Sequence, residues 1–193
     1  MMARLSLPSA VEIAQALYGT WRFARLDRNA LRYFDLSHGG VWRSFWAAAL
    51  CYPGFLALLW LRLDNETLAR AGFTTILLVE SIGYAIAWTG FPLLALGLCR
   101  RIGREEGGFD FIAAYNLSQV PQTLLFLVLG LVSLALPPLT AGYVELGGDI
   151  AVLGYEWFIA SVAVGAGGRI AAALVALDFT LGVAIALTAA RLY

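Results

Sequence analysis

Residues 72–99 read GFTTILLVESIGYAIAWTGFPLLALGLC, with one carboxyl, Glu80, and no Arg, Lys or His. About 20 residues of apolar helix cross the hydrocarbon of a bilayer, so this run can span one with length to spare. Four more stretches have the same character: 44–61, 109–136, 150–164 and 170–190. Together they predict an all-α integral membrane bundle of five transmembrane helices. The second and third runs are over-long, which predicts tilt, kinks or emergence at the interface. The fourth is short and carries Glu156, so it and the fifth can also be read as a re-entrant pair.

Composition agrees with this reading. Hydrophobic residues make up 61% of the 193, charged residues 13%, and mean hydropathy is +0.77. A soluble domain carries about 25% charged residues. The length suits one bundle and leaves no room for a separate catalytic domain. We divide the chain into a cytoplasmic amphipathic segment, 1–42, and a five-span domain, 43–193. The first 40 residues are Arg-rich and lack the compact apolar core and cleavage site of a signal peptide. Cys51 and Cys99 lie far apart in or beside apolar runs and read as buried thiols.

All 13 basic residues are Arg, a bias associated with GC-rich bacterial genomes. Their placement orients the bundle. Arg4, Arg22, Arg25, Arg28, Arg32 and Arg43 precede the first span, and Arg100, Arg101 and Arg104 follow the second. The loop 137–149 has no basic residue, and Arg62 and Arg70 are offset by Asp64 and Glu66. The positive-inside rule places the N-terminus in the cytoplasm and the C-terminus outside, in a bacterial inner membrane.

The amphipathic segment has a recognisable start. Ser9 and Glu12 have capping-box spacing, with Pro8 just before. Ile13, Leu17, Trp21 and Ala24 recur at helical steps, with Arg22, Arg25 and Arg28 turned away. Trp21, Arg22, Arg25, Arg28 and Arg32 are candidate membrane-surface residues, since such a helix can lie among lipid headgroups. The same helix can equally pack across the cytoplasmic mouth of the bundle. His38-Gly39-Gly40 then reads as a break before Trp42 and Trp46, which read as interfacial anchors.

Chemistry is sparse. Carboxyls inside hydrocarbon are costly and mark proton paths, cation sites or buried polar contacts, which singles out Glu80, Glu156 and Asp178. Each is followed at helical steps by small residues: Gly83, Ala87, Gly90 and Gly97; Ala160, Ala163 and Gly167; Gly182, Ala186 and Ala189. Small residues let membrane helices approach closely, so the acids should face protein. The third span adds Asn116, Gln119, Thr123, Gly130 and Ser133, with Gln122 beside Pro121. At about 1.5 Å per residue, the span limits above put Glu80 level with Glu156 near the outer surface. They put Asp178 level with Asn116 and Gln119 near the inner one. Like charges at one site cannot both ionise easily, so a Glu80–Glu156 pair would suit proton or cation handling. Hydrogen bonding between helices explains the same residues without transport. Pro53, Pro92 and Pro121 each remove a backbone donor within a span and predict kinks.

Other motifs fail. Gly165-Ala166-Gly167-Gly168-Arg169 lacks the Lys-Ser/Thr of a phosphate loop and reads as a tight turn. Asn65-Glu66-Thr67 is a formal glycosylation sequon. With His38 the only histidine, no metal cluster and no Ser-His or Cys-His pair can be assembled. The Arg groups are explained by topology and anionic lipid, not by nucleic acid. No catalytic residue, metal or cofactor is expected.

One family shares this organisation. Phe109-Asp110-Phe111-Ile112-Ala113-Ala114-Tyr115 opens the third span before Pro121, after a cytoplasmic N-terminal segment in a five-span chain. In this the chain resembles the Yip-type membrane proteins. Ala30-Leu31-Arg32-Tyr33-Phe34-Asp35, running to Arg43-Ser44-Phe45-Trp46, is similar to bacterial relatives of that group. The resemblance covers about 30–190. It implies a five-span fold and, for eukaryotic members, a part in vesicle traffic with small prenylated GTPases; it assigns no site residue. The expectation is a non-enzymatic scaffold or accessory subunit that self-associates or docks on a membrane partner. The alternative is a small oligomeric transporter or channel using Glu80, Glu156 and Asp178 with Asn116 and Gln119.

Overall fold

The computed structural model describes residues 9–193; Arg4 and Pro8, invoked above, lie outside the described residues. Ser9 caps α1 (Ala10–Ala24) through the anticipated box: its hydroxyl accepts from the Glu12 amide at 3.2 Å, and Glu12 accepts from the Ser9 amide at 2.7 Å. A 3-10 turn (Arg28–Tyr33) leads to α2 (His38–Ser44), α3 (Trp46–Arg62) and the short α4 (Asn65–Ala71). Four long helices follow: α5 (Phe73–Arg101), α6 (Glu105–Ser133), α7 (Pro138–Ala163) and α8 (Gly168–Ala189). There is no strand among the described residues. Five helices, counting α2 with α3 as His38–Arg62, are long and apolar enough to cross a membrane. The chain is an all-α, multi-pass membrane protein.

Helix α6 is the hub, packing on α1, α2, α3, α5 and α7, whereas α8 packs mainly on α5 and α7. Close approach is possible because glycines sit where α6 meets its neighbours. A Cβ on Gly107 would lie 2.9 Å from the Val164 Cα, and one on Gly108 would lie 2.8 Å from the Cys99 Cβ. The main core collects Phe23, Phe34, Phe91, Phe111, Phe158, Ile159 and Leu174. Phe23 joins α1 to it, with its ring centroid 5.6 Å from Phe34 and 6.1 Å from Phe158.

Two expectations need correction, and a third element gains detail. The fourth span is not short: α7 starts at Pro138, where a proline suits the first helical position, and runs for 26 residues. Glu145 and Asp149 made its first half look like a loop, yet that half is continuous helix with the rest. His38-Gly39-Gly40 is no break but the first turn of α2. The Ser37 hydroxyl accepts from the Gly40 amide at 3.1 Å, and Gly40 presses on the Asp35 carbonyl, where a Cβ would come to 2.1 Å. The buried face of α1 is Ala16, Gly19, Thr20 and Phe23, while Leu17, Trp21 and Ala24 stay exposed. Gly19 wins that position because the Phe34 ring lies where a side chain would be, 2.6 Å from an added Cβ.

The helices run unbroken through Pro53, Pro92 and Pro121. Near the first of these, the Tyr84 hydroxyl donates to the Ala48 carbonyl at 2.7 Å.

Candidate functional site: polar contacts within the bundle

The polar stripe of α6 is well covered by other helices from Asn116 to Gln122, and there its side chains find partners across helix boundaries. Asn116 is fully buried and donates to the Ser44 hydroxyl at 2.9 Å, which joins α6 to α2. Gln119 donates to Glu156 on α7 at 3.4 Å. Gln122 also reaches toward Glu156, but its Nε2 has no partner in hydrogen-bonding geometry. One turn back, the Tyr115 hydroxyl donates to Asp178 on α8 at 2.8 Å. The Tyr155 hydroxyl lies 3.1 Å from both the Thr20 carbonyl and the Ser118 hydroxyl. Together these contacts tie α1, α6, α7 and α8 through one polar level.

This arrangement redraws the pairing anticipated from sequence. Glu80 does not meet Glu156; it accepts from the Tyr193 hydroxyl at 2.5 Å, at the far end of α8. The reason is the true start of α7. Glu156 lies about 27 Å along the helix from Pro138, whereas Glu80 is only about 10 Å from Phe73. Glu156 therefore shares a level with Asp178, near enough for their charges to interact. Asp178 takes its bond from Tyr115, not from Asn116 or Gln119.

Burial differs among the three acids. Glu156 is 5% exposed, while Glu80 and Asp178 are half-buried. The small residues on their faces divide likewise. Gly83 meets Ile185 of α8, with an added Cβ at 2.9 Å, and Ala160 and Ala163 are buried, but Gly97 and Gly182 face open space. Thr123 bonds the Gln119 carbonyl of its own helix at 2.8 Å, and the buried Ser133 hydroxyl has no partner.

Near the start of the first span, the candidate surface arginines divide into paired and unpaired. Arg22 is held by Asp27, with Nε at 2.6 Å from the carboxylate, and by the Tyr18 hydroxyl at 3.0 Å. Arg32 lies over the Tyr33 ring, 5.0 Å from its centroid. Among the described residues, Arg25 and Arg28 pair with no carboxylate. Trp21 stands 58% exposed between these groups. Arg43 bridges Glu12, at 3.0 Å, and Asp35, clasping α1 to α2. Glu12 is held below its ordinary range by the Ser9 amide first and the Ser9 hydroxyl next, with Arg43 adding to it. Burial opposes the same shift at Asp35, but bonds from Ser37 and the charge of Arg43 together outweigh it.

Comparison with protein-family models, curated proteins and solved structures gave no match. The geometry itself must carry the functional reading.

The partners Tyr115, Tyr155, Tyr193, Ser44 and Ser118, through their hydroxyls, and Thr20, through its carbonyl, were not singled out by sequence reasoning. Their one available signal was local: Tyr115 adjoins Asn116 and Tyr155 adjoins Glu156. A tyrosine beside a buried acid or amide offers a long apolar ring with a donor at its tip. Which helix that tip reaches depends on packing.

Proposed function

We propose that this protein is a non-enzymatic membrane scaffold or accessory subunit, self-associating or docking on another membrane protein. One observation supports this above others: each of the three acids singled out in the sequence, Glu80, Glu156 and Asp178, is engaged by a side chain from elsewhere in the bundle. Glu80 takes Tyr193, Glu156 takes Gln119 and Asp178 takes Tyr115. Such bonds hold membrane helices together. The grooves between α1 and α2, between α1, α6 and α7, between α2, α5 and α6, and between α5 and α8 are lined by none of these acids. Affinity purification in mild detergent tests the reading. A stoichiometric partner or a homo-oligomer supports it, and a clean monomer counts against it.

A second reading, a small transporter or channel, draws on the closeness of Glu156 and Asp178 and on the unpartnered Gln122 amide. It requires proton or cation flux in proteoliposomes that Glu156→Gln or Asp178→Asn abolishes while the fold survives. No flux from the wild type sinks it. Both readings take the chain as a bacterial inner-membrane protein with a cytoplasmic N-terminus, supported by the Arg-rich connection between α5 and α6. They also take it as a bacterial relative of the Yip-type group, on the stretch Phe109 to Tyr115. Reporter fusions at 134–137 and at 102–104 separate the two orientations.

A further inference from the structure

Between α1, α6 and α7 runs a groove of about 380 Å³. Leu17, Trp21, Pro121, Leu125, Ala151 and Val152 make its apolar walls, with Thr20, Gln122 and Tyr155 as its polar lining. Trp21 also borders the adjoining cleft, which holds Tyr18, Arg22, Arg25 and Asp27. In that cleft Asp27 is committed to Arg22. Among the described residues, Arg25 pairs with no carboxylate, and neither does Arg28 three residues on. One indole thus separates an apolar slot from a basic rim.

We propose that this groove binds an anionic phospholipid, with one acyl chain between α1, α6 and α7 and the phosphate at Arg25, supported by Arg28. The occupant follows from charge and place. A multi-pass protein meets lipid at its lateral openings, so an apolar slot there takes an acyl chain. A guanidinium with no carboxylate partner is matched to phosphate, which it binds in a forked geometry. Basic residues beside an apolar helix face select anionic over zwitterionic lipid. Trp21 suits the boundary because its ring is apolar and its N–H is polar. The site goes beyond the scaffold reading and does not depend on it.

The test uses the full-length protein in phosphatidylcholine nanodiscs doped with lipid brominated on its acyl chains, since bromine quenches tryptophan fluorescence on contact. The Trp21 signal is the difference between wild type and Trp21→Phe, a change at an exposed position. Brominated phosphatidylglycerol should quench that signal more strongly than brominated phosphatidylcholine at equal fraction. Arg25→Gln should weaken the apparent affinity for the glycerol lipid about fivefold, and adding Arg28→Gln should remove the preference. Ala151→Phe, which fills the slot from an exposed position, should cut quenching by either lipid. Equal quenching of wild type by the two lipids overturns the proposal without any variant. Quenching that depends on the arginines but ignores Ala151→Phe also overturns it, because the lipid would then sit on the basic surface and not in the groove.

Discussion

Helices α6, of 29 residues, and α8, of 22, are both long and apolar enough to cross a membrane, yet they differ in what surrounds them. Helix α6 buries Phe111, Ile112, Ala113, Ala114, Asn116, Ser118 and Gln122. Helix α8 buries only Ala171, Leu174 and Ala189, while Phe179, Val183 and Leu187 face outward. The polar side chains follow the same division. A helix wrapped by five neighbours can carry Asn, Gln and Ser because protein groups are within reach to bond them. Helix α8, with one covered side, keeps Asp178 there beneath Tyr115, while its exposed Thr180 and Thr188 bond carbonyls of their own helix. The polar side chains of α6 that bond across helices thus lie where its neighbours meet it.

Substitutions of like residues on the two helices can break that comparison. Phe111 is 1% exposed and Phe179 is 58% exposed. Phe111→Ala should cost about 3 kcal/mol or more through the cavity it leaves, while Phe179→Ala should stay within about 0.5 kcal/mol. Denaturation in mixed micelles of mild detergent and dodecyl sulfate reads both, and similar losses would erase the distinction. Next come the glycines. Gly107→Leu must push apart the α6 and α7 backbones and should cost about 1–3 kcal/mol. Gly182 has nothing within 4 Å of an added Cβ, so Gly182→Leu should be nearly neutral unless a second copy or a partner covers that face.

A smaller effect concerns the bond that joins the two helices. Tyr115→Phe removes the donor to Asp178 and should cost about 0.6–1.7 kcal/mol, the range for hydrogen bonds between membrane helices. Thr180→Val deletes only a bond to Ala176 of its own helix and should cost less. Equal losses would mean that the Tyr115–Asp178 bond contributes no special stability.

The smallest effect is ionic and lies outside the spans. Both Glu12 and Asp35 have folded pKa values below their ordinary 4.5 and 3.8. Depressed carboxyl values contribute stability that is present above the unfolded pKa and is lost as pH falls through the folded one. Acidification below about 4 should therefore loosen the Glu12–Arg43–Asp35 clasp and speed amide exchange in α1. Helix α8, whose Arg169 and neighbouring Arg191 make no ion pair among the described residues, should keep its protection once the intrinsic slowing of exchange in acid is divided out of both helices. Arg43→Gln should mimic acid at neutral pH.

Much of this was legible beforehand, and the misreadings have identifiable causes. Uninterrupted apolar runs located α5, α6 and α8 to within a few residues, because hydrocarbon forces the backbone to satisfy itself as helix. The fourth helix was missed over its first half because Glu145, Gly147, Gly148 and Asp149 carry loop-like composition, although they lie in continuous helix. That displacement alone produced the mistaken Glu80–Glu156 pairing. On α1, the spacing of large apolar residues left open whether they meet lipid headgroups or the bundle, and the structure buries the small residues beside them. Gly19 and Ala16 permit the close contact that a leucine would prevent.

Composition and the spacing of apolar residues determined that this chain is helical and crosses a membrane, since backbone hydrogen bonding in lipid leaves few alternatives. They also marked Glu80, Glu156 and Asp178 as exceptional, because an acid in an apolar run stands out on cost alone. Only the tertiary structure decided what each acid meets: Glu80 with Tyr193, Glu156 with Gln119, Asp178 with Tyr115. Those partners come from remote helices, and their choice depends on where each helix starts and how closely its glycines let neighbours approach. A one-dimensional hydropathy pattern carries neither quantity.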